Sequence, residues 1–152
     1  MMAAEFKWGS KSVLALKNVH PKLREVADEA LRISKVDFRI TEGHRGKDLQ
    51  DLYFIQKKSK LRFPKGRHNM TTDPAFVGNR LAVSDALDFW PLVPGHEKAP
   101  LKDHWKAVAD AFFEAGLRLG VRLRWGGDFR MDGDKTLDDS WDSPHIELLW
   151  KK

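Results

Sequence analysis

The chain contains no cysteine in its 152 residues. That absence excludes disulfides, thiolate metal sites and cysteine nucleophiles, so any metal site must be built from His, Asp and Glu. It leaves the redox compartment open. Long hydrophobic runs are missing as well, and nothing approaches the roughly 18 apolar residues that would suggest a membrane span. The opening "MMAAEFKWGSKSVLALKNVHP" has no uninterrupted apolar core behind a basic start, so it does not read as a signal peptide. The expectation is a protein made in the cytoplasm, without membrane insertion, that needs something else to release it if it acts elsewhere. No internal repeat and no linker marks a domain boundary.

What is present suits a globular domain. Hydrophobic residues are 41% and charged residues 32% of the chain, too apolar a mixture for disorder. A length of 152 residues predicts one domain, 1–152, with a self-sufficient core. The net charge of +5 points to an anionic partner, and nucleic acid, acidic lipid and bacterial cell wall all qualify.

Periodicity predicts the elements. Pro21 suits a first helical position, and Leu23, Val26, Ala27, Ala30 and Leu31 recur at helical spacing, giving a helix over about 21–34. "VDFRIT" (36–41) alternates as a strand. After the turn at Gly43 and Gly46, a second helix spans about 47–57 with Leu49, Leu52 and Tyr53 inward. The basic, Gly- and Pro-rich stretch 57–79 reads as a long loop, which in a compact domain tends to be functional or disordered. "RLAVSDALDFWP" is a strand candidate ending at Pro91, and a third helix over about 101–119 buries Trp105, Val108, Ala109, Phe112 and Leu119. "VRLRW" (121–125) is a strand, and a polar loop precedes a last strand at about 146–149. The expected architecture is α+β, with a small, largely antiparallel sheet and about three helices.

Three segments offer metal ligands beside structural punctuation: "KGRH" with His68, "SDALDFWP" with Asp88 and "DSPH" with His145. Six histidines and 22 acids allow many other triples, so composition alone does not choose. The pattern does more. "SVLALKNVHPKLREVADEALRISKVDFRITEGHRGKDLQDLY", with its "HP.L" helix, "DF.I" strand and "G.R....Q..L" turn and helix, resembles the opening of the M15 zinc peptidases. The resemblance is to their phage endolysin branch, the L-alanyl-D-glutamate peptidases. "LRWGGDF" and "DSPHIEL" resemble the closing strands of that family.

The resemblance implies a Hedgehog/DD-peptidase-like domain and a zinc-dependent endopeptidase of the peptidoglycan stem peptide. By position it makes His68, Asp88 and His145 the Zn²⁺ ligands, Asp142 the catalytic carboxylate, and Arg45 the cation near the substrate carbonyl or carboxylate. The family motif S-x-H-x-x-G-x-A-x-D departs here in two ways. Gly66 stands in the serine position, and the step from residue 68 to residue 88 leaves about thirteen extra residues. Asp73 and Asp85 are rivals for the acidic ligand. Asp88 is preferred because "ALDFWP" keeps the A-x-D, the apolar residue and the proline. A loop insertion costs little, because closure entropy grows only logarithmically with length.

The resemblance further implies bacterial peptidoglycan as partner, and an endolysin held in the host cytoplasm until a separate pore releases it. No nucleic acid partner, no wall-binding domain and a monomer complete the expectation. "KKSKLRFPKGRH" lacks the interleaved aromatics of a nucleic-acid platform. Ser143 precedes Pro144 and is pushed to extended geometry, so Asp142 and His145 approach one cavity from a loop and a strand. Glu147, two residues beyond His145 on the same strand face, is a candidate to orient that ligand. Trp90 and Trp141 flank site residues and are candidates to line a groove. The acidic loop from Asp128 to Asp139 is a weaker candidate for Ca²⁺, since its spacing does not match an EF-hand. His20, His44, His96 and His104 are assigned structural or solvent-facing positions. The rival activities are a D,D-carboxypeptidase, a muramidase using Glu42 and Asp48, and a non-catalytic wall-binding module.

Overall fold

A computed structural model describes residues 6–57, 68–71, 73, 75, 83–126 and 143–149, without the side chains of residues 47–49. Among the described residues, four helices and four strands follow in the order α1 (Ser10–Leu16), α2 (Pro21–Ile33), β1 (Phe38–Glu42), α3 (Lys47–Ile55), β2 (Ala86–Pro91), α4 (Lys102–Leu119), β3 (Leu123–Trp125) and β4 (His145–Leu148). The strands form one sheet in the order β1-β2-β4-β3, and every neighbouring pair is antiparallel. The α+β expectation holds, with one more helix than periodicity predicted.

Strand alternation separates two faces. Phe38, Ile40, Leu87, Phe89, Leu123, Trp125, Ile146 and Leu148 are buried in the core with the apolar stripes of α2 and α4. Phe112 of α4 sits against Phe38 and Phe89, with ring centroids 5.4 and 5.6 Å away. Burying each such side chain contributes about 1.5–3 kcal/mol, so this face sets the fold. The residues that alternate with them, among them Asp88, His145 and Glu147, belong to the other face.

α2 begins as its sequence requires. Pro21 needs no intrahelical partner at the first position, and His20 caps it by accepting the Lys22 N–H through Nδ1 at 3.0 Å. α4 ends at Gly120, whose φ of 68° is the left-handed cap that favours glycine. Leu119, expected to be buried, is exposed one residue earlier. β2 starts at Ala86, while Ser84, within the same strand candidate, makes a separate parallel bridge with Val19; residues 80–82 of that candidate lie outside the described residues. Among the described residues, no helix is long and apolar enough to cross a membrane.

Candidate metal centre

Asp88 and His145 meet because the sheet register makes them partners. They stand directly opposite in the β2–β4 pairing, where Cβ atoms lie about 4.5–5.5 Å apart. On the other side of β2, Glu42 stands opposite Asp88. A bulge between Ile40 and Glu42 inserts Thr41, so Glu42 takes the place opposite Asp88 that regular pairing would have given to Thr41. His68 arrives from outside the sheet and is clasped at two points. Its Nδ1 donates to the Gly43 carbonyl at 2.8 Å, and its own carbonyl accepts the Arg45 N–H at 2.7 Å.

The outer hydrogen bonds fix which ring nitrogens carry protons. A carbonyl can only accept, so His68 is protonated at Nδ1 and its Nε2 bears a lone pair. His145 Nε2 lies 2.9 Å from Glu147 Oε1, so that nitrogen donates and Nδ1 bears the lone pair. These two bare nitrogens are 3.2 Å apart. Asp88 Oδ1 lies 3.2 Å from the first and 3.5 Å from the second. Two lone pairs and a carboxylate oxygen thus face one another, an arrangement that repels itself unless a cation lies among them. The three residues could hold a metal ion, with one ligand atom each and all three atoms within 4.8 Å.

Asp88 has the electrostatics of such a position. Burial works against its charge, but with protons on the facing nitrogens of His68 and His145 the two rings outweigh burial and hold the carboxyl well below the usual carboxylate range, and a cation among the three groups would act in the same direction. Its Oδ1 is buried and, among the described residues, accepts no well-formed hydrogen bond. A buried carboxylate oxygen left in that state is costly without a counter-ion. The donor set, two imidazoles and one carboxylate, suits zinc with a position left open.

Comparisons with known proteins bear on the chain as a whole. The family model for phage L-alanyl-D-glutamate peptidases matches residues 4–149. The chain belongs to that family. The L-alanyl-D-glutamate peptidase of Escherichia phage T5 is 32% identical over 148 residues, covering 95% of this chain and 98% of that one. A solved structure of an L-Ala D-Glu endopeptidase from Serratia marcescens has a TM-score of 0.70 at 26% identity, with 95% of this chain and 92% of that chain covered.

Within this L-alanyl-D-glutamate peptidase fold, the rival acids fall away from the centre. Asp73 pairs with His20 Nε2 at 2.7 Å and accepts the Ala75 N–H at 3.0 Å. Asp85 is buried at the start of β2, and its carbonyl accepts the Leu148 N–H. Neither belongs to the group of His68, Asp88 and His145. Glu42, weighed as a muramidase acid, is ion-paired with the Nε of Arg45. Trp90, half-buried, packs edge-on against Trp105 at 5.1 Å and donates to the Glu97 carbonyl at 2.7 Å. His44 donates from Nε2 to the Asn69 carbonyl at 3.2 Å. His104 accepts the Leu101 N–H at the start of α4 and stacks edge-on with His96.

Asp142, Trp141, Gly66, the acidic loop Asp128–Asp139 and most of the basic stretch lie outside the described residues, as does the Asp48 side chain. Ser143 and Pro144, which follow Asp142, are anchored: Trp125 Nε1 donates to the Ser143 carbonyl at 2.7 Å, and the Phe89 N–H to that of Pro144 at 2.9 Å. Sequence reasoning missed three contributors. Gly43 supplies the carbonyl that orients His68. Asn69 donates from Nδ2 to the Arg45 carbonyl at 2.9 Å and to Gln50 Oε1 at 3.2 Å. Gln50 Oε1 accepts from both Asn69 and Arg45. The signal for Gly43 was legible as a turn glycine, while the other two depend on tertiary contacts that no local pattern reports.

Proposed function

We propose that the chain is a zinc-dependent endopeptidase that cuts the L-Ala–D-Glu bond of the peptidoglycan stem peptide, as a phage endolysin. The observation that carries the metal reading is the convergence of His68 Nε2, His145 Nδ1 and Asp88 Oδ1 with no proton to share. The bond assignment rests on family membership and on the names of the relatives from phage T5 and Serratia marcescens.

In this reading His68, Asp88 and His145 are the ligands, and Glu147 holds the His145 ring in the tautomer that binds. Zinc at such a site supplies Lewis acidity and a water nucleophile usable near neutral pH. Asp142 takes the proton of the attacking water and passes it to the leaving amine. Arg45 faces the charge that develops on the carbonyl oxygen. The relative from phage T5 supports synthesis in a host cytoplasm and later access to the wall, through a separately made pore. The enzyme acts as a single-domain monomer.

Metal analysis and turnover on purified peptidoglycan, compared across variants, test the assignment. His68→Ala and Asp88→Ala are expected to lose both zinc and activity. Asp142→Asn is expected to keep zinc and lose turnover by about 10²–10⁴-fold. Full zinc occupancy in His68→Ala would refute the ligand set, and parental turnover in Asp142→Asn would refute the base.

A further inference from the structure

α3 turns an unusual face inward. Leu52 and Ile55 are exposed, whereas Gln50 is almost wholly buried at 1% exposure. Gln50 and Tyr53 are three residues apart and share a helix face. Both meet Arg45: the guanidinium donates from NH1 to Gln50 Oε1 at 2.7 Å, and its carbon lies 4.7 Å from the centre of the Tyr53 ring. Glu42 accepts from Nε on the neighbouring edge. Among the described residues, no hydrogen bond falls on Nη2, and the proposed role of Arg45 assigns that edge to a substrate oxygen. Gln50 Oε1 also accepts from Asn69, the residue after His68. One buried amide oxygen therefore ties the cation to the segment that carries a proposed metal ligand.

We infer that Gln50 is a positioning residue for the peptidase reaction, holding the Arg45 guanidinium in a cradle whose second wall is Tyr53. The inference rests on the proposed role of Arg45. An arginine side chain has many rotamers, and a charge that is to meet a developing oxyanion must already be in place. Glu42 alone fixes one edge and lets the plane swing. Gln50 fixes a second edge, and the Tyr53 ring fixes the face. The metal side depends less on Gln50, because His68 keeps its bonds to Gly43 and the Arg45 N–H without it.

The test measures kcat/KM on purified peptidoglycan, and zinc affinity by chelator competition, for the parent, Gln50→Ala, Gln50→Glu, Arg45→Ala and the Arg45→Ala/Gln50→Ala double variant. Gln50→Ala is expected to lower kcat/KM by about 10–100-fold, the cost of misplacing a catalytic group by about an ångström. Gln50→Glu, whose carboxylate accepts from both Arg45 and Asn69, is expected within about threefold of the parent. The double variant is expected within about twofold of Arg45→Ala, since the two changes remove one interaction. Zinc affinity in Gln50→Ala is expected to stay within about threefold. Parental kcat/KM in Gln50→Ala, a poor Gln50→Glu, or additive losses in the double variant would overturn the inference. Parental kcat/KM in Arg45→Ala would instead show that the reading of Arg45 has failed, and the inference with it. If Gln50→Ala loses zinc altogether, Tyr53→Leu and Tyr53→Phe decide: a loss of about three- to tenfold in Leu, restored in Phe, supports the cradle, and equal efficiency in both overturns it.

Discussion

At the scale of single residues, the candidate centre is a matter of proton bookkeeping on two imidazoles. Gly43 and Glu147 each claim one ring N–H, and the other nitrogen of each ring is thereby turned bare toward Asp88. Removing the acceptor behind a metal-binding histidine typically costs 10–100-fold in metal affinity. Glu147→Ala is accordingly expected to weaken zinc binding by about that factor, and Glu147→Gln, which keeps an acceptor oxygen, by less. Competition against a chromophoric chelator reads both. Affinity in Glu147→Ala equal to the parent would mean that the 2.9 Å contact does not orient the ring. Asp73 makes a different prediction. Its carboxyl is held below the usual range, first by the Ala75 N–H and also by His20. A lowered folded pKa gives stability that is complete above the ordinary carboxylate pKa of about 4 and lost as pH falls through the folded value. Asp73→Asn should therefore unfold at lower urea than the parent at neutral pH and converge with it in acid. Urea midpoints that differ equally at both ends would contradict this.

At the scale of elements, what was legible in the sequence depended on how apolar each buried face is. α2 was read almost to the residue, because all five of its predicted inward positions are apolar and buried. α1 was missed. Its buried residues are Ser12 and Leu16, and the Ser12 hydroxyl accepts the Ile40 N–H at 3.0 Å, while Val13 and Leu14 face out. A pattern search sees those exposed apolar residues and finds no stripe. α3 misled in the same way, since Leu52 was expected inward and the buried position is Gln50. Asp88 was legible through the residues around it, and its pairing with His145 follows from the register of two strands that were both foreseen. Asn69 was not, because its partners lie 19 and 24 residues earlier in the chain. α1 also constrains the site. A Cβ on Gly43 would stand 2.1 Å from the Ala15 carbonyl oxygen and 2.7 Å from Val19 Cγ2. Gly43→Ala must push the strand end away from α1, at a cost of about 1–3 kcal/mol. It should move the carbonyl that orients His68, so zinc affinity should fall along with the melting temperature. A stable variant with parental zinc affinity would show that Gly43 is not needed at either place.

At the scale of the whole molecule, one face of the sheet makes the fold and the other carries the chemistry. The first is apolar and closed by α2 and α4, with no candidate metal ligand in its core cluster. The second gathers Asp88, His145 and Glu147 from two strands and His68 from the segment between α3 and β2. Removing metal should therefore leave the protein folded but less stable. A ligand at about 100 times its Kd contributes about 2.7 kcal/mol, which for a chain of this size is roughly 5–10 °C in Tm. Chelation followed by zinc addition should lower and then restore Tm by that amount in the parent, and should leave Asp88→Ala unmoved. A Tm indifferent to chelator in the parent would argue against a resident metal. The residues between His68 and Asp88 separate two candidate ligands that the family motif brings closer together, and the sheet register accommodates that length: Asp88 is placed by β1 and β4, whatever the path that leads to it. The most direct measurement is mass spectrometry of the fragments released from purified peptidoglycan by the parent and by His68→Ala. The account predicts free stem peptides that begin with D-Glu from the parent and none from the variant. Release of D-Ala alone, new reducing sugar ends, or the same fragments from both proteins would contradict it.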